Sequence, residues 1–161
     1  MIRDACAEDC SAIAAIWNPV IRDTLITFTT EEKTAPDLVA TLAGKERSGQ
    51  PFLLACAKGE LLGFATYGAF RPGPGYAHTA EHTVILAPRA WGRGVGRALM
   101  QAVEDHARRS GIHSLIGGVS GANTEGRAFH AALGYREIAI LPEVGRKFGQ
   151  WLDLVLMQKM L

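Results

Sequence analysis

The sequence predicts an α/β fold built on a mixed sheet. Short apolar runs typical of strands recur along the chain, helical patterns lie between several of them, and hairpins are indicated towards both ends. Helices between strands indicate parallel neighbours, whereas hairpins indicate antiparallel ones, so the sheet should contain both. At 161 residues the chain has the length of one domain, and we expect a single domain over residues 1–161.

The elements of the first half follow from helical spacing, capping residues and turn signals. The first helix should be interrupted at Asn18-Pro19, because the residue before proline disfavours the α conformation. Thr34 followed by Pro36 is typical of a helix start, and Lys58-Gly59-Glu60 between two apolar runs is typical of a hairpin. The predicted elements are a strand over 1–5, a helix from Asp9 with Ile13, Ile16, Trp17 and Val20 on one face, a helix from Thr34 that ends within 44–49, and strands over 52–57, 61–68 and 78–86.

The second half is predicted from the same kinds of signal. Apolar residues recur at helical spacing over 94–110, with polar residues on the opposite side, which indicates an amphipathic helix. Gly111 should end this helix, and Asn123 should cap a shorter one that ends at Gly134. The remaining predicted elements are strands over 115–119, 135–141 and 151–157.

Composition and charge exclude several classes of partner. Seventeen Lys and Arg against 16 Asp and Glu leave a net charge of +1, so no overall field attracts nucleic acid or an anionic membrane. No run approaches the ~18 apolar residues of a membrane span, and no secretory signal pattern is present. Cys6, Cys10 and Cys56 are too few for a disulfide framework, and we expect reduced thiols. These features predict a cytoplasmic protein without nucleic-acid or membrane partners.

The most informative motif is Trp91-Gly92-Arg93-Gly94-Val95-Gly96-Arg97, between a predicted strand and a predicted helix. Glycines let a ligand approach the backbone, and the amides at a helix N-terminus bind phosphate oxygens. Arg93 and Arg97 can add charge-assisted hydrogen bonds. A tight connection without a ligand explains the bare glycine pattern about equally well. The run lacks the residues of a P-loop and of a Rossmann site, which leaves a phosphate-bearing ligand of another kind.

Several motifs together resemble a known family. Val84-Ile85-Leu86-Ala87-Pro88, the glycine run, its helix and the segment from Asn123 to Leu133-Gly134-Tyr135 resemble the acetyl-CoA motifs of the GNAT N-acetyltransferase superfamily. Glu81-His82-Thr83-Val84 and the run Gly-Arg-Lys-Phe-Gly-Gln-Trp-Leu-Asp over 145–153 are similar to the phosphinothricin acetyltransferase branch. That branch includes L-amino acid acetyltransferases acting on methionine sulfoximine and methionine sulfone. The resemblance extends over essentially the whole chain.

The resemblance implies the GNAT fold, in which four helices flank a mixed central sheet that splays between two parallel strands. It implies acetyl-CoA as co-substrate, and no metal. The backbone of Val84, Ile85 and Leu86 would contact the pantetheine arm, where one amide could hold the developing oxyanion. Asn123 would bond the same arm, either beside or instead of its helix-capping role. The pyrophosphate would be held by Gly92, Arg93, Gly94, Val95, Gly96 and Arg97.

Transfer to an amine needs a base, because an α-amine is mostly protonated below a pKa of about 8. Glu81 is the candidate, and the alternative interpretation is an ordinary solvated carboxylate. Strand alternation places Thr79, Glu81 and Thr83 on one side and His82 on the other, where His82 would order the sheet or the substrate loop. A metal site from His78, Glu81 and His82 is not supported, because a strand does not converge these side chains.

Three further positions follow from the resemblance. His130 matches the general acid that would protonate the departing thiolate, and a cofactor contact or simple helix packing is the alternative. Arg71 matches an arginine that would bind the substrate's carboxylate, and a surface arginine is the alternative. Lys147 and Phe148 match a signature that closes the neighbour's substrate pocket in related dimers. A homodimer is therefore expected.

The resemblance implies direct acetyl transfer to the primary α-amine of a small amino acid or analogue. Gly73 and Ala77 depart from the branch's substrate loop, so the identity of the amine stays open. Trp91 and Gly126 each remove a minor polar contact to the cofactor. The alternatives are acetylation of another amine, such as a polyamine, an aminoglycoside or a protein N-terminus, and a non-catalytic acyl-CoA sensor.

Overall fold

Seven strands form one mixed sheet in the order β1-β2-β3-β4-β5-β7-β6. Only β4 and β5 run parallel, and every other neighbouring pair is antiparallel. The computed structural model describes all 161 residues. The strands are β1 (Ile2–Asp4), β2 (Phe52–Ala57), β3 (Glu60–Ala69), β4 (Thr79–Leu86), β5 (Ser114–Ser120), β6 (Arg136–Lys147) and β7 (Gln150–Met160), and the helices are α1 (Cys10–Asp23), α2 (Ala35–Arg47), α3 (Val95–Arg109) and α4 (Thr124–Ala132).

Helices cover both faces of the sheet and form two apolar cores. On one face, residues of α1 and α2 pack around Phe64 and Ile85. On the other face, Leu99 and Val103 of α3 are fully buried against the sheet. Alternate residues of each strand pack into one core or the other, because successive side chains point to opposite faces of the sheet. The predicted α/β class with four helices and a mixed sheet is confirmed. None of the helices combines the length and hydropathy required to cross a bilayer.

Two predicted boundaries differ from the structure by the widest margin. Helix α1 continues through Asn18-Pro19 as far as Asp23, although an interior proline costs about 3 kcal/mol. Tertiary contacts offset this cost, since Ile21 is fully buried and both groups of the Asn18 amide bond the backbone of Lys33, at 2.9 and 2.7 Å. Strand β6 runs six residues beyond its predicted end at residue 141. A bulge between 141 and 145 lets it keep pairing with β7.

The parallel strands β4 and β5 are paired over only part of their length. Their register runs from Thr79 opposite Ser114 to His82 opposite Gly117, whereas β4 continues to Leu86 and β5 to Ser120. Strand β3 stays paired with β4 up to Leu86. The sheet therefore splays between β4 and β5, and residues 83–86 keep one free backbone edge.

Candidate active site

Two cavities meet at this splay. The first, of about 430 Å³, lies between the end of β4, the glycine run and the start of α4, and we call it the loop groove. The second, of about 260 Å³, lies between β4 and β5, and we call it the strand cavity. Residues that line both cavities mark their junction, and these are Ile26, Val84, Ile85, Asn123 and His130.

The glycine run leaves the N-terminus of α3 open to a ligand. Gly92 and Gly94 adopt positive φ values of 67° and 78°, and no side chain caps the helix. The first amides of α3 consequently lack side-chain partners and face the loop groove. Arg93 and Arg97 bond only the backbone carbonyls of Arg89 and Ala132, at 3.3 and 3.4 Å. Both guanidinium groups are therefore available to phosphate oxygens, which makes the groove suitable for a pyrophosphate.

Strand β4 offers backbone groups to a ligand along its free edge. The Ala87 amide donates to the Leu62 carbonyl of β3 at 2.9 Å. Because successive residues of a strand direct their backbone groups to opposite edges, those of Ile85 face β3 and those of Val84 and Leu86 face the splay. An extended ligand with amide groups can pair with this edge. Of the three predicted contacts, this alternation favours Val84 and Leu86.

Glu81 lies in the strand cavity and points to the face opposite His82. The neighbouring strand makes room for it at Gly118, where a Cβ would come within 2.9 Å of the Glu81 carboxylate. No cation or hydrogen-bond donor of the protein holds this carboxylate, and burial raises its pKa above the ordinary value of 4.5. A free carboxylate with a raised pKa, reachable from solvent, is suited to accept a proton.

His82 belongs to a buried aromatic cluster on the other face. Its side chain is only 6% exposed, and its ring stacks on His130 with centroids 5.0 Å apart and meets the edge of Tyr135 at 5.3 Å. Neither ring nitrogen of His82 has a partner. Burial lowers the pKa of His82 to about 3, so the ring is neutral at pH 7. The cluster packs against Gly117, where a Cβ would lie 2.9 Å from His82 Nε2.

The tautomer of His130 follows from its contact with helix α4. Its Nδ1 lies 2.6 Å from the Gly126 carbonyl oxygen, which can only accept, so we assign the proton to Nδ1. Nε2 then carries a lone pair, and burial lowers the pKa of the ring. The general-acid role implied by the resemblance needs the imidazolium, which this environment disfavours. The neutral ring offers an acceptor.

The Asn123 side chain caps α4 and keeps its amide group free. Its Oδ1 accepts a hydrogen bond from the Gly126 amide at 2.9 Å and thereby caps α4. Its amide group lines both cavities and can still donate to a ligand. A side chain at position 126 would overlap the Asn123 amide. Glycine at position 126, where this chain departs from the family pattern, therefore preserves the helix cap.

Three predicted substrate contacts do not line either cavity. Arg71 is exposed, with its guanidinium 5.6 Å from the centre of the Phe70 ring. Lys147 is buried, and its Nζ donates to the Thr27 carbonyl at 2.8 Å. Phe148 is exposed in the turn between β6 and β7. Their roles towards a substrate remain predictions.

The sequence reasoning missed the segment that covers the strand cavity. Ile26, Thr27 and Phe28 line this cavity, and they lie between α1 and α2, in a stretch to which no element was assigned. Phe129 of α4, also missed, lines the loop groove. The apolar residues Leu25, Ile26 and Phe28 in an otherwise polar connection were the available signal, because clustered exposed apolar side chains mark ligand-binding grooves.

Comparison with known proteins agrees with this geometry. The sequence profile of the acetyltransferase (GNAT) family matches residues 17–135. The L-methionine sulfoximine/L-methionine sulfone acetyltransferase of Pseudomonas paraeruginosa is 36% identical over 158 residues, which is 98% of this chain and 92% of the relative. A ribosomal-protein-alanine N-acetyltransferase structure from Brucella melitensis is 37% identical, with a TM-score of 0.96 over 100% of this chain and 99% of the other. A phosphinothricin acetyltransferase from Sinorhizobium meliloti, solved with acetyl-CoA, is 28% identical, with a TM-score of 0.94 over 100% and 88% of the two chains. The chain therefore belongs to the GNAT family of acetyltransferases.

Proposed function

We propose that the protein transfers the acetyl group of acetyl-CoA to the primary α-amine of a small amino acid or analogue, of the methionine sulfoximine, methionine sulfone or phosphinothricin type. The observation that carries this proposal is the junction of the two cavities. An anion site and a free strand edge lead to it from one side, and a carboxylate without a cation partner approaches it from the other.

In this proposal the chain's own residues position the reactants and move the protons. The amides of residues 92–97, with Arg93 and Arg97, hold the pyrophosphate, and the free edge of β4 aligns the pantetheine arm. Acetyl-CoA supplies the activated acetyl group. Glu81 takes a proton from the ammonium, directly or through water, and a β4 amide at the junction stabilises the developing oxyanion. Attack of the neutral amine forms the C–N bond, and the C–S bond then breaks. A thiol pKa near 8.5 lets the CoA thiolate leave without an acid, and the proton that the nitrogen loses passes to the thiolate or to water.

The strand cavity favours a small acceptor with few charges. At about 260 Å³ it lies below the size range of typical drug-binding pockets. Glu81 is the single charged residue among those that line it, so it lacks the acidic surface that a polyamine or aminoglycoside would need. A protein N-terminus stays the second candidate, because the Brucella structure carries that activity in its name.

The proposal is tested by following release of the CoA thiol from acetyl-CoA with a panel of amines. We expect the fastest release with methionine sulfone, methionine sulfoximine or phosphinothricin, and little with spermidine or an aminoglycoside. A peptide beginning with alanine represents the second candidate. Preferential release with that peptide would replace the proposal, and acetyl-CoA binding without release from any amine would support a sensor.

We further propose a cytoplasmic homodimer. The thiols of Cys6, Cys10 and Cys56 are free, as expected in a reducing compartment. Strand β6 is an edge of the sheet, and the hairpin that it forms with β7 exposes a row of large apolar side chains. A second copy of the chain would cover this row by two-fold pairing. The row consists of Ile138, Ile140, Leu141, Val144, Phe148 and Trp151.

Trp151→Arg is expected to convert the dimer to a monomer. The Trp151 side chain is 57% exposed beside the hairpin turn, and Arg146 already lies 4.6 Å from its ring, so a second guanidinium adds repulsion. Sedimentation equilibrium measures the change in mass. Trp91→Arg is the matched control, because Trp91 is 56% exposed and lies outside the row. A wild-type protein that sediments as a monomer would contradict the dimer.

A further inference from the structure

Lys147 is a buried lysine without an acidic partner. Only 2% of the residue is exposed, and its Nζ donates to the Thr27 carbonyl across 120 residues of sequence. Buried lysines are rare because removal of an ammonium group from water is costly. This lysine does not reach the strand cavity, so its cost is not offset by a contact with substrate there. It is offset by a charge-assisted hydrogen bond that fixes the segment between α1 and α2.

Gly145, also on β6, lets the same segment lie close to the strand because it has no side chain. A Cβ at Gly145 would overlap the ring of Phe28, so the ring lies directly on the β6 backbone. Phe28 also lines the strand cavity. The ring is therefore enclosed between β6 and the cavity, and its position sets the width of the cavity on that side.

The ends of the segment 24–34 are fixed as well. At its start, the Thr24 hydroxyl donates to the Val20 carbonyl at 2.6 Å, and the Ile26 amide donates back to this hydroxyl at 3.1 Å. Near its end, the Asn18 amide makes two hydrogen bonds to the backbone of Lys33. The hydrogen bond from Lys147 to Thr27 lies between these two ends, so the segment is held at three points. A wall fixed in this way selects by size, because it yields little to a larger ligand.

We propose that Gly145 and Lys147 are positioning residues for acceptor specificity, which hold Thr27 and Phe28 at a fixed depth so that the Phe28 ring limits the side chain of the acceptor amine. The inference rests on the proposed acetyl transfer to an amine. It assigns Lys147 a role behind the wall of the cavity, in place of the direct substrate contact that the family resemblance implied. Phe28 is the residue that touches the acceptor.

Gly145→Ala tests the wall by moving it. The added methyl group displaces the Phe28 ring towards the strand cavity, and we expect kcat/KM for methionine sulfone to fall about tenfold or more relative to alanine. Phe28→Ala should raise the ratio of kcat/KM for methionine sulfone to kcat/KM for alanine, because it leaves more room for larger α-amino acids. The KM for acetyl-CoA should stay unchanged in both variants, because neither residue lines the loop groove. The matched control is Gly44→Ala, whose added Cβ would meet only Arg47, at 3.8 Å.

Lys147→Met tests the attachment without using activity. Loss of the bond to Thr27 should raise the rate of chymotrypsin cleavage after Phe28 severalfold, whereas Lys58→Met, at an exposed turn, should leave it unchanged. Unaltered cleavage in Lys147→Met, or unaltered acceptor ratios in both wall variants, would overturn the inference. A wild type that releases no CoA with any amine would contradict the proposed function instead, and the cleavage result would still decide whether Lys147 holds the segment.

Discussion

Glu81→Gln is expected to lower kcat by about 10²- to 10⁴-fold, the range typical for loss of a general base. Glutamine keeps the size and hydrogen-bonding shape of the side chain but cannot take a proton from the ammonium. Affinity for acetyl-CoA should be unchanged, because Glu81 does not line the loop groove. Steady-state CoA release and calorimetric titration with acetyl-CoA measure the two quantities separately.

The same substitution predicts a change in pH dependence. Burial raises the pKa of Glu81, and the group acts as a base only when deprotonated. The wild-type rate should therefore fall as the pH decreases through this pKa, at a pH above that expected for an ordinary glutamate. The Gln variant should lose this acidic limb and keep the dependence caused by protonation of the amine itself. Glu46→Gln, at an exposed site on α2, is the control. Equal rates for wild type and Glu81→Gln across this range would exclude Glu81 as the base.

The parts of the site that could be predicted from sequence depend on local rules. Strand alternation separates Glu81 from His82, and in the structure they lie against consecutive residues of β5, with His82 beside Gly117 and Glu81 beside Gly118. The glycine run before a helix predicts a backbone that a ligand can approach, and the structure has positive φ at Gly92 and Gly94 and no side-chain cap on α3. Asn123 is identified as a helix cap by its residue type alone. Each of these inferences needs only the neighbouring few residues, which explains why each agrees with the structure.

The parts that were missed depend on contacts between distant residues. Helix α1 continues past Pro19 because Ile21 is buried and Asn18 bonds the backbone of Lys33. The local preference of the residue before a proline does not include such contacts. The position of Lys147 behind the cavity wall depends on Thr27, 120 residues away. No periodicity or spacing reports such a pairing. The resemblance places Lys147 near the acceptor, but the direction of its ammonium group is decided by packing.

Gly94→Val is expected to raise the KM and Kd for acetyl-CoA by about 10- to 100-fold, corresponding to about 1.4 to 2.8 kcal/mol. Gly94 has φ +78° at the N-cap of α3, which valine adopts only with strain, and the valine Cβ would point into open space beside the proposed pyrophosphate site. The loop must then shift, or the side chain crowds the pyrophosphate.

Gly59→Val is the control that separates the effect of backbone strain from the effect on cofactor binding. Gly59 lies in the hairpin between β2 and β3, where φ is +79° and the surroundings are equally open. Both variants should lose similar stability to thermal unfolding, but only Gly94→Val should weaken acetyl-CoA binding. Equal binding by the two would show that the glycine run serves the fold alone, and the assignment of the pyrophosphate to residues 92–97 would then be wrong.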